Sequence, residues 1–328
     1  MPYIIPHTNF EQMLILLRGC GLLYAPVTDS DGIIRFALLK PGMLPDLNAV
    51  RTLLPPKKYL LHPQEAILTY THEHGYQKTD TEVQPLILLG VHPCDLAGIS
   101  YLDQLYLNDS PDPLYAARRA ALTLIGSSCI PDDLCSCQQN LSPLQSSCDL
   151  FLQQTDDGFI VNSFSLRGEE LVELFQEILE QRELTVPADN RRFFGHPLRP
   201  VPRSEPDASL PEWRELSRHC LGCGSCSICC PTCSCFDVLE FGGLDRNSAE
   251  RVRRWDNCLL NSHARIAGGV SFQKEMADRF RYRYRHKYRG FGQLQGIPGC
   301  VGCGRCRATC PAGLDLRPLA LQLEGGAS

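Results

Sequence analysis

Apolar residues recur at helical spacing in "NFEQMLILLRGC" (9–20), which predicts an amphipathic helix with Asn9 as its cap and Cys20 on its core face. "GIIRFALLK" (32–40) follows as a strand. In "PLILLGVHPCDLAGISYLDQLY" (85–106) a continuous apolar run breaks at Pro93 and gives way to helical spacing. That pattern predicts a buried strand, a proline-containing turn and a helix. "ALTLIGSSC" (121–129) is a second buried strand. Strand, helix and strand within about forty residues predict a parallel βαβ unit. "FIVNSFS" adds a strand, and "GEELVELFQEILEQ" an amphipathic helix with Leu171, Leu174, Phe175 and Ile178 on its apolar side.

These elements make residues 1–185 a mixed α/β domain. Residues 186–213, "VPADNRRFFGHPLRPVPRSEPDASLPEW", are rich in proline and charge and predict a linker. Residues 214–328 then form a second domain, with a basic insertion at 236–299 and an expected mainly helical, ferredoxin-like fold. The fold class expected is α+β.

Composition narrows the function. The chain has 328 residues, 43% hydrophobic and 21% charged, which excludes disordered and fibrous classes. A chain of this length buries a core without covalent staples, yet it carries 18 cysteines. "MPYIIPHTNF" lacks the charged start and apolar core of a secretory leader, and the longest apolar runs are far too short for a membrane span. A cytoplasmic, reducing setting is therefore expected, where clustered cysteines are metal ligands or catalysts and disulfides are disfavoured. The net charge of −5 gives no global attraction to nucleic acid.

Seven cysteines fall within sixteen positions in "CLGCGSCSICCPTCSC" (220–235). Its first part, "CLGCGSCSICCP", recurs as "CVGCGRCRATCP" from residue 300. Both have the form C-x2-C-x2-C-x3-C-P, the bacterial ferredoxin run. Three close thiolates hold one [4Fe–4S] cube in such a run, and the cysteine before proline serves the other cube. The crossover assigns Cys220, Cys223, Cys226 and Cys310 to one cluster, and Cys300, Cys303, Cys306 and Cys230 to a second. Zinc also uses CxxC pairs, but the third cysteine and the Cys-Pro ending, both repeated, do not match a zinc ribbon.

Cys94 and Cys129 end the two predicted parallel strands, where α/β sheets hold ligands, and Cys135 and Cys137 follow in a polar loop. The four either converge on a third [4Fe–4S] cluster or include buried cysteines that serve only packing. Cys148 is a substitute ligand or a bystander. Cys233, Cys235 and the distant Cys258 either contribute to a further centre or pack, and Cys229 is incidental.

"HPCDLAGISYLDQLYL", the C-x5-C-x-C spacing, "CPTCSCFDV", "RRWDNCL" and the "AGG" preceding "CVGCGRCRATCP" together resemble a family of iron–sulfur subunits of cytoplasmic redox complexes. It includes the A subunit of anaerobic sulfite reductase and the β subunit of NAD(P)-linked nickel–iron hydrogenase (sulfhydrogenase). The resemblance spans about residues 85–315, less clearly the first eighty. It implies a dicluster protein relaying electrons between a flavin subunit and a catalytic subunit. It also implies cysteine ligands at positions 94, 129, 135 and 137, and cysteines at 233, 235 and 258. "CQQNLS" (137–142) departs from the family's Ser-Met-Gly run after Cys-x-Cys, which bears on the loop that carries Cys137.

No G-x-G-x-x-G joins a strand to a helix and no Walker lysine is present, so neither nucleotide nor flavin is expected in this chain. No H-E-x-x-H motif occurs, and no catalytic site of its own is expected. From Arg246 to Arg289, twelve Arg or Lys face four acids, and "RFRYRYRHKYR" interleaves arginine with tyrosine. Such a stretch binds nucleic acid, docks an acidic partner or offsets the charge of nearby clusters; the acidic whole favours the latter two. The expected function is electron transfer in a cytoplasmic complex of hydrogenase or sulfite reductase type. A heterodisulfide-reductase-like module and a free-standing ferredoxin are the alternatives.

Overall fold

The computed structural model describes residues 3–79, 83–137, 147–181, 210–245, 247–290 and 299–315. Most of the expected linker, and residues 138–142 of the loop after Cys137, lie outside the described residues. In chain order the elements are β1 (Tyr3–Pro6), α1 (Phe10–Cys20), β2 (Leu22–Thr28), β3 (Ile34–Leu38), β4 (Gln64–Thr71) and β5 (Gly75–Lys78). Next come β6 (Leu86–Val91), α2 (Pro93–Tyr106), α3 (Pro113–Ala121), β7 (Leu122–Ser127), β8 (Leu150–Gln154) and β9 (Gly158–Ser163). After them follow α4 (Leu166–Leu174), β10 (Glu180–Gln181), α5 (Leu210–Ser217), α6 (Ser225–Ile228), β11 (Phe236–Gly242), β12 (Ser248–Trp255), α7 (Met276–Arg289) and α8 (Arg305–Ala308).

The chain divides into two compact units. The first comprises the described residues of 1–60, 82–198 and 301–303. Its eight-stranded sheet runs β10-β1-β9-β8-β7-β6-β2-β3. The pairs β2–β6, β6–β7 and β7–β8 are parallel, and the flanking pairs are antiparallel. β6 and β7 are buried almost throughout, which is why they read as unbroken apolar runs. The core joins Met13, Leu14 and Leu17 of α1 to Ile87, Leu89, Ile125, Leu150 and Leu152 of the central strands.

The expected βαβ unit forms, with one addition. A second crossover helix, α3, precedes β7, its start capped by Asp112, whose carboxylate accepts from the Tyr115 N–H at 2.8 Å. Three local expectations fail. Asn9 sits at the N-cap of α1 but makes no side-chain cap bond; its amide donates to the Ile178 carbonyl instead, at 3.0 Å. Cys20 ends α1 exposed, outside the apolar stripe. α4 stops at Leu174, which is exposed, and Phe175 and Ile178 enter the core from the turns beyond it.

The second unit comprises the described residues of 61–81, 199–300 and 304–328. It departs from the expected mainly helical fold. Phe236–Trp255 forms the hairpin β11–β12, and β4–β5, from early in the chain, extends it to a four-stranded antiparallel sheet in the order β11-β12-β4-β5. The many arginines of "SAERVRRW" hid the strand. Buried Arg253 on β12 meets buried Glu65 on β4 at 2.7 Å, so the sheet interior is partly ionic. Beside the sheet, Trp213 of α5 packs on Phe280 and Tyr284 of α7.

Candidate metal centres

In the first unit, β6 and β7 deliver Cys94 and Cys129 to the carboxyl end of the sheet. Cys94 lies in the first turn of α2, and Cys129 follows β7 by two residues. Cys137 is hydrogen-bonded to both Cys135 and Cys94, which brings three of the four cysteines predicted for a third site together, and Cys129 lies near enough to act on the Cys137 charge. These same neighbours push the Cys137 thiol far up, with burial adding to them. Cys135 moves the other way, to about 6: its hydrogen bond with Cys137, helped by Arg51, outweighs burial. Arg51 donates to Cys135 Sγ at 3.2 Å and pairs with Asp132. Cys148 stands apart in character, its thiol pushed up to about 12 by burial and then by Asp149.

Cys94 and Cys137 share one buried cluster with Cys303, joined by the partly buried Cys135 and Val301. Gly302 makes that approach possible. It adopts φ of +68°, its carbonyl accepts from the Ser136 N–H at 2.8 Å, and a Cβ there would stand 2.4 Å from the Ser136 carbonyl. Only glycine fits such a backbone-to-backbone contact.

The sequence repeat, which lies in the second unit apart from residues 301–303, is also a structural repeat. Each run turns through left-handed glycines, Gly222 and Gly224 at φ of 62° and 84°, Gly302 and Gly304 at 68° and 72°. Gly224 and Gly304 each precede a one-turn helix, α6 and α8 respectively. Cys220, Cys223, Cys226 and Cys310 line a single pocket, together with Cys306, Phe280 and Arg283. Burial drives the Cys226 thiol up to about 11, the Cys306 thiol up to about 12, and raises Cys220. Cys306 feels Cys230 and Cys300, which gathers three members of the second predicted set in this unit; Cys303 is the one grouped with Cys94 and Cys137.

Cys233, Cys235 and Cys258 are neighbours as well. Cys235 is hydrogen-bonded to buried Cys258 and feels Cys233, and Cys230 is hydrogen-bonded to Cys233. The Cys235 bond brings Cys258 down to about 5, while the partner thiol rises. Buried Cys229 contacts Thr309 Oγ1 at 3.3 Å.

Sequence reasoning missed Arg51, which lies forty-three residues before Cys94 with no local pattern to mark it. It noticed the basic stretch but not its direction. Arg279, Arg283 and Lys287 of α7 are buried. Their spacing of four, alternating with Phe280 and Tyr284, was the available signal.

Among the described residues, no group of three or more His, Cys, Asp or Glu side chains could hold a single metal ion. The donors fit a cluster instead. They are thiols, the soft ligands iron–sulfur clusters take, and in the second unit they line a pocket. Buried guanidinium Nε–H groups of Arg51, beside Cys135, and of Arg283, beside Cys233, have no hydrogen-bond partner. A sulfur-rich anion would accept from them.

The repeat and its thiol-lined pocket define a 4Fe–4S dicluster protein: the family profile described as "4Fe-4S dicluster domain" matches residues 219–314. Over the whole chain, the sequence is 33% identical across 331 residues to sulfhydrogenase 2 subunit beta of Pyrococcus furiosus (strain ATCC 43587 / DSM 3638 / JCM 8422 / Vc1), covering 96% of each. The chain therefore belongs to the family of iron–sulfur, hydrogenase β-like subunits. No solved structure matches it. Among the described residues no helix is long and apolar enough to cross a membrane.

Proposed function

We propose that this chain is the electron-relay subunit of a cytoplasmic redox complex of hydrogenase type. It passes electrons between a flavin- and NAD(P)-binding subunit and a catalytic subunit. The observation that carries this reading is the pocket lined by Cys220, Cys223, Cys226 and Cys310: the first three and the last lie more than eighty residues apart, as the ferredoxin crossover requires. Cys300, Cys303, Cys306 and Cys230 form the second ligand set, and Cys94, Cys129, Cys135 and Cys137 a third.

Bound [4Fe–4S] clusters would supply reversible one-electron storage. The chain's own residues do the rest. Thiolates would hold the iron, Phe280 and Leu259 keep water from one wall of the pocket, and Arg51 and Arg283 direct N–H groups and positive charge at sulfur. No general acid or base is required. Cys233, Cys235 and Cys258 serve the surroundings of the ferredoxin pair in this reading.

Anaerobic co-purification from the source organism tests the proposal, with nickel, siroheme and flavin assayed in the eluate. A nickel-containing partner and a flavoprotein are expected. Siroheme in place of nickel would make the partner a sulfite reductase, and a chain that elutes alone would overturn the subunit reading.

A further inference from the structure

One face of α7 presents three buried cations, and they are not equivalent. Arg279 is accounted for by backbone: it donates to the carbonyls of Leu259, Gln273 and Lys274, each at 3.0 Å. Arg253, a buried arginine of β12, has its carboxylate in Glu65. Arg283 and Lys287 hydrogen-bond to neither a carboxylate nor a run of carbonyls. Arg283, 2% exposed, donates to Ser227 Oγ at 2.7 Å, to the Cys226 carbonyl and to Cys233 Sγ at 3.6 Å. Its Nε–H is left without a partner. Lys287, 7% exposed, donates to Thr232 Oγ1 at 2.7 Å. Cysteine sulfur is among the partners of both cations, Cys233 and Cys258 for Arg283 and Cys230 for Lys287. Two full positive charges at this depth, with no carboxylate to meet them, call for negative charge on that sulfur.

The two cations address different thiols. Arg283 lines the pocket of Cys220, Cys223, Cys226 and Cys310 and also acts on Cys230 and Cys306 of the second set. Lys287 reaches the second set directly, through a hydrogen bond with Cys230, and through Thr232, whose hydroxyl contacts Cys230 Sγ at 3.3 Å and donates to the carbonyl of Gly299, the residue before Cys300. Unlike Arg283, it is not among the residues that line the pocket of Cys220, Cys223, Cys226 and Cys310.

We infer that Arg283 and Lys287 are the fixed counter-charges of the two ferredoxin-type clusters, Arg283 shared by both and Lys287 serving the second alone, so that α7 sets their potentials individually. This rests on the electron-relay reading above. A nearby positive charge favours the reduced, more negative form of a cluster and so raises its potential. Both residues are positioning residues, since neither takes up the electron.

The test uses the full chain in its complex, prepared anaerobically, with iron content measured and each cluster titrated by EPR-monitored redox potentiometry. The signal lost in Cys220→Ser identifies the first cluster. Arg283→Gln is expected to lower both midpoint potentials, Lys287→Gln that of the second cluster only, and the charge-keeping Arg283→Lys and Lys287→Arg to stay near wild type. Neutral variants with full iron and unmoved potentials would overturn the inference. So would charge-keeping variants that shift as far as the neutral ones, because packing rather than charge would then be at work. If a neutral variant loses iron, retention in its charge-keeping counterpart supports the inference and loss in both refutes it. A wild-type chain without iron would instead refute the relay reading itself.

Discussion

Arg51 prepares a thiol from a distance in sequence. An ordinary cysteine is half ionised near pH 8.5; Cys135, hydrogen-bonded first to Cys137 and then to Arg51, is brought to about 6. Its thiolate therefore predominates at neutral pH and is lost as pH falls through 6. In protein produced without iron, alkylation of Cys135, followed by peptide mass spectrometry, is expected to be half maximal near pH 6. Arg51→Met removes one donor and should move that midpoint upward; an unmoved midpoint would mean that Arg51 serves only Asp132. Glu65 has a different task at the same scale. Its partner Arg253 is 7% exposed, so Glu65→Leu strands a buried charge. A loss of about 3–5 kcal/mol is expected in anaerobic urea unfolding. Glu65→Leu combined with Arg253→Met should recover most of it, since a well-packed apolar pair replaces a buried ion pair at little cost.

Elements, not isolated side chains, shape the cluster-binding turns. α6 starts on Gly224 at φ of 84°, and a Cβ there would stand 2.2 Å from Asn257 Nδ2. Asn257 is held in place, because its Oδ1 accepts from Ser227 Oγ at 2.8 Å and from the Leu259 N–H at 2.9 Å. Gly224→Ala therefore combines a disfavoured backbone with a clash that has no easy relief. It should cost the first cluster, about four irons, while the remainder stays bound. Iron analysis with EPR decides this, and full loading would show that the turn adapts. α7 works at the same scale: a helix rich in arginine reads as a solvated basic face, yet its spacing of four sends Arg279, Arg283 and Lys287 inward. That orientation also removes three cations from any nucleic-acid surface.

For the whole molecule, the number of clusters is the measurable quantity. Three cubes correspond to about twelve irons per chain and two to about eight. Cys135→Ser with Cys137→Ser should remove about four irons and leave the ferredoxin-type pair intact. A double variant that keeps all its iron would eliminate the site at the end of the parallel strands. The 33% identity to a sulfhydrogenase β subunit extends over 96% of both chains, so the α/β unit belongs to the family design as much as the cysteine repeat does. A carrier built only to hold two cubes has no need of an eight-stranded sheet, which is consistent with a subunit that docks to partners.

The sequence alone determined the local chemistry. The spacing of the two C-x2-C-x2-C-x3-C-P runs pointed to the cluster type, because a cube dictates how closely consecutive thiolates follow one another. The apolar runs of β6 and β7 were legible too, since strands buried on both faces leave no polar positions to blur them. Only the tertiary structure decided what distant segments do for one another. The pairing of β4 with β12 joins residues 64–71 to 248–254, and its arginine-rich strand shows no apolar alternation because an ion pair fills part of its interior. The approach of Arg51 to Cys135, and the inward turn of Arg283 and Lys287, follow from the same cause. A charge gains its place inside a protein through the group it meets there, and that partner is absent from its own stretch of sequence.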